Sequence, residues 1–526
     1  FDNYAKDYSS SNSYSVVTDE MNKKLREGLM LINYTGHGNT TSWSDENVLT
    51  LPMIDKFSYP KLPLWITATC DFCRFDALAT SAGESIFLNE KSGGIALYTT
   101  VRVAYGSEND RINNSFLEKL FDQSMYPALG DVVRSVKADN KSLRSKNLNF
   151  TFIGDPALKL ALPSHKIRIN TINGKDAVQN STNFRAYDEV TVEGEILAPD
   201  NSIIDNFNGK LEVKVMDSKI EITTRNNFRN DTAFKYMDYK NLVYKGSTQV
   251  QNGKFSFSFY VPGNISYSGK AGKMILYASD SEQKIEAKGN FTNYKVQGTS
   301  DDPLDDHEGP EIVKLYLNDS TFVSGDKVNT TPFFYARLWD QTGVDITEGG
   351  VGHDVMLMID NKPFTSYNLN SYYDNIFGRK GEGEVRFGIP QLSAGMHEAV
   401  FKVWDVMGNP TTYTFRFEVD ESLKPFITNI VATPTPAKGN VEFHLTHNRP
   451  ESQMKVGIMV YDIAGRLHWK HEETGSSELF KDYVIDWDLR NNSGSHVRPG
   501  VYIYRAAIST NNSKEATEAK KMIILW

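Results

Sequence analysis

Through the first 163 residues, short continuous apolar runs alternate with segments whose apolar residues recur at helical spacing. The stretch TDEMNKKLREG, residues 18–28, starts on Thr/Asp and stops on Gly, which predicts a helix. LMLINYT follows it, and the same apolar pattern returns in LPLWITAT and GGIALYTTV. Strands covered on both faces require runs of this kind. Between and after them, GESIFLNEKSGG, ENDRINNSFLEKLFDQ and ALGDVVRSVKADNKSL read as helices. Strand and helix in alternation predict a parallel α/β sheet.

From residue 164 the pattern changes to short alternating runs, VTVEGEI, KLEVKVMD, KFSFSFYVP and KMILYASD, with turn residues such as QNGK between them. Alternation of period two predicts strands with one buried face, and their number predicts a β-sandwich over 164–300. The acidic, proline-bearing TSDDPLDDHEGPE, 299–311, reads as a linker or exposed loop. An Ig-like strand-rich unit is expected over 301–423 and a further compact β-unit over 424–526, where KVGIMVYDIAGRLHWK and GVYIYRAAI alternate like half-buried strands. The predicted fold class is multidomain, with an α/β portion over 1–163 followed by all-β domains.

A chain of 526 residues exceeds what one core organises. Hydrophobic residues at 40% and aromatic residues at 12% indicate well-formed cores. The 57 basic and 66 acidic residues leave a net charge of −9 without a Lys/Arg cluster, which disfavours nucleic acid as the main partner. No apolar run reaches the roughly 18 residues of a membrane-spanning helix. The chain opens on Phe1 without a signal segment, as a processed product or a fragment does. Two cysteines, Cys70 and Cys73, provide no disulfide framework. That suits a bacterial surface better than an animal extracellular space, although a cytosolic chain has the same look.

Two strand ends carry reactive side chains. LMLINYT delivers the chain to Gly36-His37-Gly38, and LPLWITAT ends on Cys70, both at the carboxyl edge of a parallel sheet, where ligand and catalytic loops gather. A thiol attacks acyl carbon as thiolate, and an adjacent imidazole can take its proton and return one to the leaving amine. Gly36 would shape the turn, and the amides of Gly38 and Cys70 would face a substrate oxygen as an oxyanion hole.

Blander readings stand beside this one. A histidine after a strand is often a surface residue, and a cysteine closing an apolar strand is often core. CDFC has C-x-x-C spacing, which fits a redox dithiol or half a metal site, yet no second pair is present for zinc. Cys73 reads as a packed thiol one turn beyond Cys70. His165, His307, His353, His397, His444, His447, His468, His471 and His496 lack ligand spacing and read as surface or packing residues. The acidic stretch Asp301 to Glu308 offers calcium ligands but lacks the alternation of a known calcium loop, so a solvated linker is expected. No cofactor is expected to be required.

The motifs LINYTGHGNTTSW, ITATCDFCRFDA, GESIFLNEKSGGIALYTTVR and FIGDPALKLALP resemble, in order and spacing, those of the gingipain-type cysteine peptidases, whose catalytic domain is caspase-like. The resemblance implies that His37 and Cys70 form a catalytic dyad. DDHEGPEIVKLYLND, GVDITEGGVGHDVMLMIDNKPF and FKVWDVMGNP resemble the sortase branch of that family, which serves the type IX secretion system. VYDIAGRLHWK, GVYIYRAA and KKMIILW are similar to the C-terminal signal domains of that system's cargo.

The resemblance thus implies a peripheral enzyme of the Gram-negative outer-membrane surface. It would cleave the C-terminal domain from cargo and pass the new carboxyl end to an amine on anionic lipopolysaccharide. Its own C-terminal domain would dock on the barrel protein PorV among other attachment-complex proteins. Only 36 residues precede His37, fewer than a caspase-like domain normally has, so the group orienting His37 and part of the specificity pocket are expected outside this chain. A purely hydrolytic secreted endopeptidase and a non-catalytic surface scaffold are the competing readings.

Overall fold

The computed structural model describes residues 1–526 except 8–12, 58, 60, 90–91, 123–125, 144, 228–231, 348–351, 451, 478–480, 511–512, 514 and 526. It divides into two units, Phe1–Ser164 with Glu221–Asp238, and His165–Ile220 with Tyr239–Trp526.

In the first unit, α1 (Ser15–Glu27) leads to β1 (Leu31–Thr35). Two short strands, β2 (Ser42–Trp43) and β3 (Leu49–Thr50), and the one-turn helix α2 (Leu51–Ile54) precede β4 (Leu64–Ala68). Then come α3 (Ala82–Leu88), β5 (Ala96–Thr100), α4 (Gly106–Leu120), α5 (Leu129–Asp139) and β6 (Phe150–Ile153). The sheet order is β1-β4-β5-β6. β1, β4 and β5 run parallel, and β6 is antiparallel to β5.

The continuous apolar runs are explained by cover on both faces. Trp65 and Leu97 pack with Leu25, Trp43, Phe72 and Ile86 on one side, while Leu64, Ile66, Ala68, Ala96 and Tyr98 pack with α4 and α5 on the other. α4 buries Ile112, Phe116 and Leu120, and α5 buries Leu129, Val132 and Val136, each set forming one helical stripe. Removing the Trp65 ring from this close-packed layer costs about 3–5 kcal/mol on the usual scale for buried aromatics.

α3 is shorter than the sequence predicts. It stops at Leu88, the Gly94 amide folds back to the Ile86 carbonyl at 3.2 Å, and residues 90–91 of the expected helix lie outside the described ones. The hairpin Ile220–Thr223/Lys235–Asp238 arises from the β-rich region, yet its residues from Glu221 belong to the first unit. Asp2 anchors it there, accepting from the amides of Asn226 and Asn227 at 2.8 Å each.

Apart from two short 3-10 turns, Pro363–Thr365 and Asn370–Tyr372, the regular elements of the second unit are strands among the described residues, around three large apolar cores and a small cluster of Tyr316, Phe333 and Tyr335. In its first part the sheet returns on itself. His165–Ile172 pairs both with Glu189–Leu197 and with Ile285–Phe291, so seven strands close into a ring around one core. Alternation alone does not distinguish such closure from an open sandwich. Two sheets follow around the core containing Phe334, Leu357 and Phe401, and two more around Phe443, Val456 and Tyr504. Two histidines take packing roles here. His397 is buried against Asp360 at 2.9 Å, and His447 bonds Ser477 at 2.8 Å. No helix among the described residues is long and apolar enough to cross a membrane.

Candidate active site

The register of β1 against β4 sets the site. Thr35 stands opposite Ala68, and His37 and Cys70 each lie two residues further along. The Gly36 amide continues the pairing to the Ala68 carbonyl at 3.3 Å. Neighbouring strands run about 4.8 Å apart, so equal offsets deliver both side chains to one edge.

The stretch after β1 is a hairpin. Gly38 bridges Trp43, the His37 carbonyl accepts from the Ser44 amide at 2.8 Å and from the Tyr34 hydroxyl at 2.6 Å, and Asn39 Oδ1 takes the Thr41 and Ser42 amides. The backbone of His37 is therefore fixed, while its ring is exposed. Neither Gly36 nor Gly38 has a left-handed φ. They are glycine for space. A Cβ on Gly38 would overlap Thr69 Oγ1 and come within 2.9 Å of the Ser42 carbonyl, and one on Gly36 would meet the Tyr34 hydroxyl at 2.7 Å.

Aromatic packing holds the two loops together. Trp43, from the histidine hairpin, stacks on Tyr34 at 4.5 Å and touches Phe72, from the cysteine loop, at 5.7 Å between ring centres. The first turn of α3 ties them a second time. Ser81 and Glu84 form a capping box, and the next two amides donate outward, Ala82 to the Thr40 carbonyl at 2.7 Å and Gly83 to the Phe72 carbonyl at 2.9 Å.

Cys70 is a free, half-buried thiol whose Sγ donates to the Ala104 carbonyl at 3.3 Å. Asp71, next to it, holds a left-handed φ of 51°, a conformation that persists only where surrounding contacts impose it. Among the described residues, neither the Gly38 nor the Cys70 amide donates a hydrogen bond. No hydrogen bond joins Cys70 to the His37 ring.

Cys73 is different. It is buried in an irregular turn rather than a helix, its amide bonds the Thr100 carbonyl at 2.9 Å, and burial pushes its thiol up to about 11. The two thiols are not bridged.

Four supports were missed in the sequence: the Ala104 carbonyl, the strained Asp71, the α3 amides, and a buried ion pair between Lys6 and Glu46 at 3.1 Å. Of these, only the α3 amides have a readable signal, the Ser81-x-x-Glu84 capping box that starts their helix.

Residues 1–161 match the profile described as Peptidase family C25. Among solved structures, dimeric latent PorU from Porphyromonas gingivalis is similar, with 31% identity over 83% of this chain and 41% of that one and a TM-score of 0.36. The complex of Porphyromonas gingivalis RgpB pro- and mature domains shares 17% identity over 53% of this chain and 57% of that one, TM-score 0.26. The chain thus spans about two-fifths of the PorU chain's length. Among curated proteins no match was found.

Proposed function

We propose that the chain carries a Cys70–His37 acyl-transfer centre and acts as a surface sortase. In this reading it removes the C-terminal domain of type IX secretion cargo and joins the cargo to an amine. The observation that carries the dyad is the β1–β4 register, which places His37 and Cys70 at equal distance beyond the paired Thr35 and Ala68.

The chemistry follows from these groups. His37 takes the thiol proton as sulfur bonds the scissile carbonyl carbon. The amides of Gly38 and Cys70 hold the oxyanion. His37 returns the proton to the leaving amine as the C–N bond breaks, which leaves a thioester on Cys70. An incoming amine then attacks the thioester, its proton passes to His37, and the sulfur leaves as thiolate. Water in place of the amine gives hydrolysis through the same intermediate.

Anionic lipopolysaccharide is the proposed acceptor. Residues 424–526 are the proposed docking module for PorV at the outer-membrane surface, beside other attachment-complex proteins. Incubating the chain with a cargo C-terminal peptide and a series of amines, then weighing the products, tests this. Amide adducts that disappear in Cys70→Ala support a sortase. Hydrolysis products alone identify an ordinary peptidase, and unchanged peptide identifies a scaffold.

A further inference from the structure

Three aspartates from three separate segments converge in the second unit. Asp306 lies in the acidic stretch 299–311, Asp340 follows the strand Phe333–Trp339, and Asp405 follows the strand Gly395–Trp404. One carboxylate oxygen of each lies within 4.8 Å of the other two. Asp340 is 4% exposed and Asp405 is 0% exposed.

Carboxylates packed this closely away from water repel one another unless a cation stands among them. No basic side chain is paired with any of the three among the described residues.

The oxygen inventory points to a missing partner. Asp405 is satisfied by Asn409, whose amide reaches Oδ1 at 2.6 Å and whose Nδ2 reaches Oδ2 at 2.8 Å. The same Nδ2 donates to the Asp306 carbonyl at 3.0 Å, which fixes the acidic stretch against this turn. Asp340 Oδ1 takes the Thr342 amide, the Thr342 hydroxyl and the Gly343 amide at 2.8 Å each, whereas Oδ2 of this nearly sealed side chain receives none among the described residues. Asp306 Oδ1 accepts from the Glu308 amide at 3.2 Å, and its Oδ2 is shut off from solvent with no hydrogen-bond donor among the described residues. Buried acceptors of this kind are rare and mark a place for an ion or a group that donates.

We propose that Asp306, Asp340 and Asp405 bind one calcium ion that fastens the stretch 299–311 to the Ig-like domain after it. All-oxygen donors carried on turns suit calcium, which tolerates irregular shells of six to eight ligands. The same set lacks the nitrogen or sulfur that selects zinc. Sequence spacing gives no warning of the site, since the three ligands come from distant segments.

The test is calorimetric titration of the chelator-stripped full chain with calcium chloride, with thermal unfolding measured alongside. Wild type should bind calcium at or below the roughly millimolar affinity of extracellular modules and should unfold at a higher temperature with the ion present. Asp405→Asn and Asp306→Ala should each reduce the stoichiometry by one ion and abolish that shift. Asp306→Ala alters a side chain outside any strand, so it decides the matter if Asp405→Asn does not fold. Absence of calcium uptake by wild type up to about 10 mM, well above that range, overturns the proposal. Unchanged stoichiometry in Asp306→Ala overturns it equally.

Discussion

Gly38 lies against the side chain of Thr69 so closely that no Cβ fits between them. Thr69 is the residue before Cys70, and its Oγ1 is sealed from solvent with no hydrogen-bond partner among the described residues. This contact limits how near the histidine hairpin can come to the cysteine loop.

Gly38→Ala should therefore push the hairpin away and lower acyl transfer by about 10²-fold or more, the usual cost of a misplaced catalytic group. Thr69→Ala in the same chain removes the overlapping oxygen and should restore part of the rate. Restoration is partial because the Ser42 carbonyl stays within 2.9 Å. Kinetics of the single and double variants with a peptide substrate check both expectations.

The buried Lys6–Glu46 pair predicts an asymmetric stability response. Lys6→Met leaves a carboxylate stranded beside the histidine hairpin and should cost about 3–5 kcal/mol. Lys6→Met/Glu46→Gln removes the stranded charge and should recover a large part. Urea midpoints of wild type and the two variants give the comparison.

The two thiols should separate by reactivity. Cys73 is held protonated by burial, with its thiol at about 11, whereas Cys70 is half-exposed at the sheet edge. Iodoacetamide at about pH 8 should add one label to the folded chain, at Cys70, and a second only after unfolding. Cys73→Ser should leave most of the activity, which a redox dithiol would not allow.

His447 supplies a pH dependence. Burial, reinforced by Arg449, lowers its imidazole to about 4, so the folded state keeps it neutral where the unfolded chain already binds a proton. Its contribution is complete above about pH 6.5, the ordinary imidazole value, and is lost as pH falls toward 4. The loss should reach about 2–3 kcal/mol over that window. Unfolding midpoints of wild type between those limits should show the slope, and His447→Gln should flatten it.

The parts of this molecule legible in the sequence are those written locally. The apolar runs of β1, β4 and β5 and the glycines around His37 required no knowledge of distant residues, and they located the Cys70 edge. What was not legible depends on partners far along the chain. The antiparallel β6, the ring closure of His165–Ile172, the hairpin from Glu221 and the meeting of Asp306, Asp340 and Asp405 all arise from pairings that a two-residue or helical period does not encode. From the sequence Gly36 has the look of a turn former, whereas the structure gives Gly36 and Gly38 a different reason, which is the space needed at Tyr34 and Thr69.

The central claim is that His37 activates Cys70. Single-turnover acylation of Cys70 by a cargo C-terminal peptide, followed by intact mass, measures it directly in wild type and His37→Ala. The account predicts a thioester on Cys70 in wild type and acylation about 10²–10⁴-fold slower in the variant, the usual worth of a positioned acid–base group. Acylation of His37→Ala within a few-fold of wild type would contradict it.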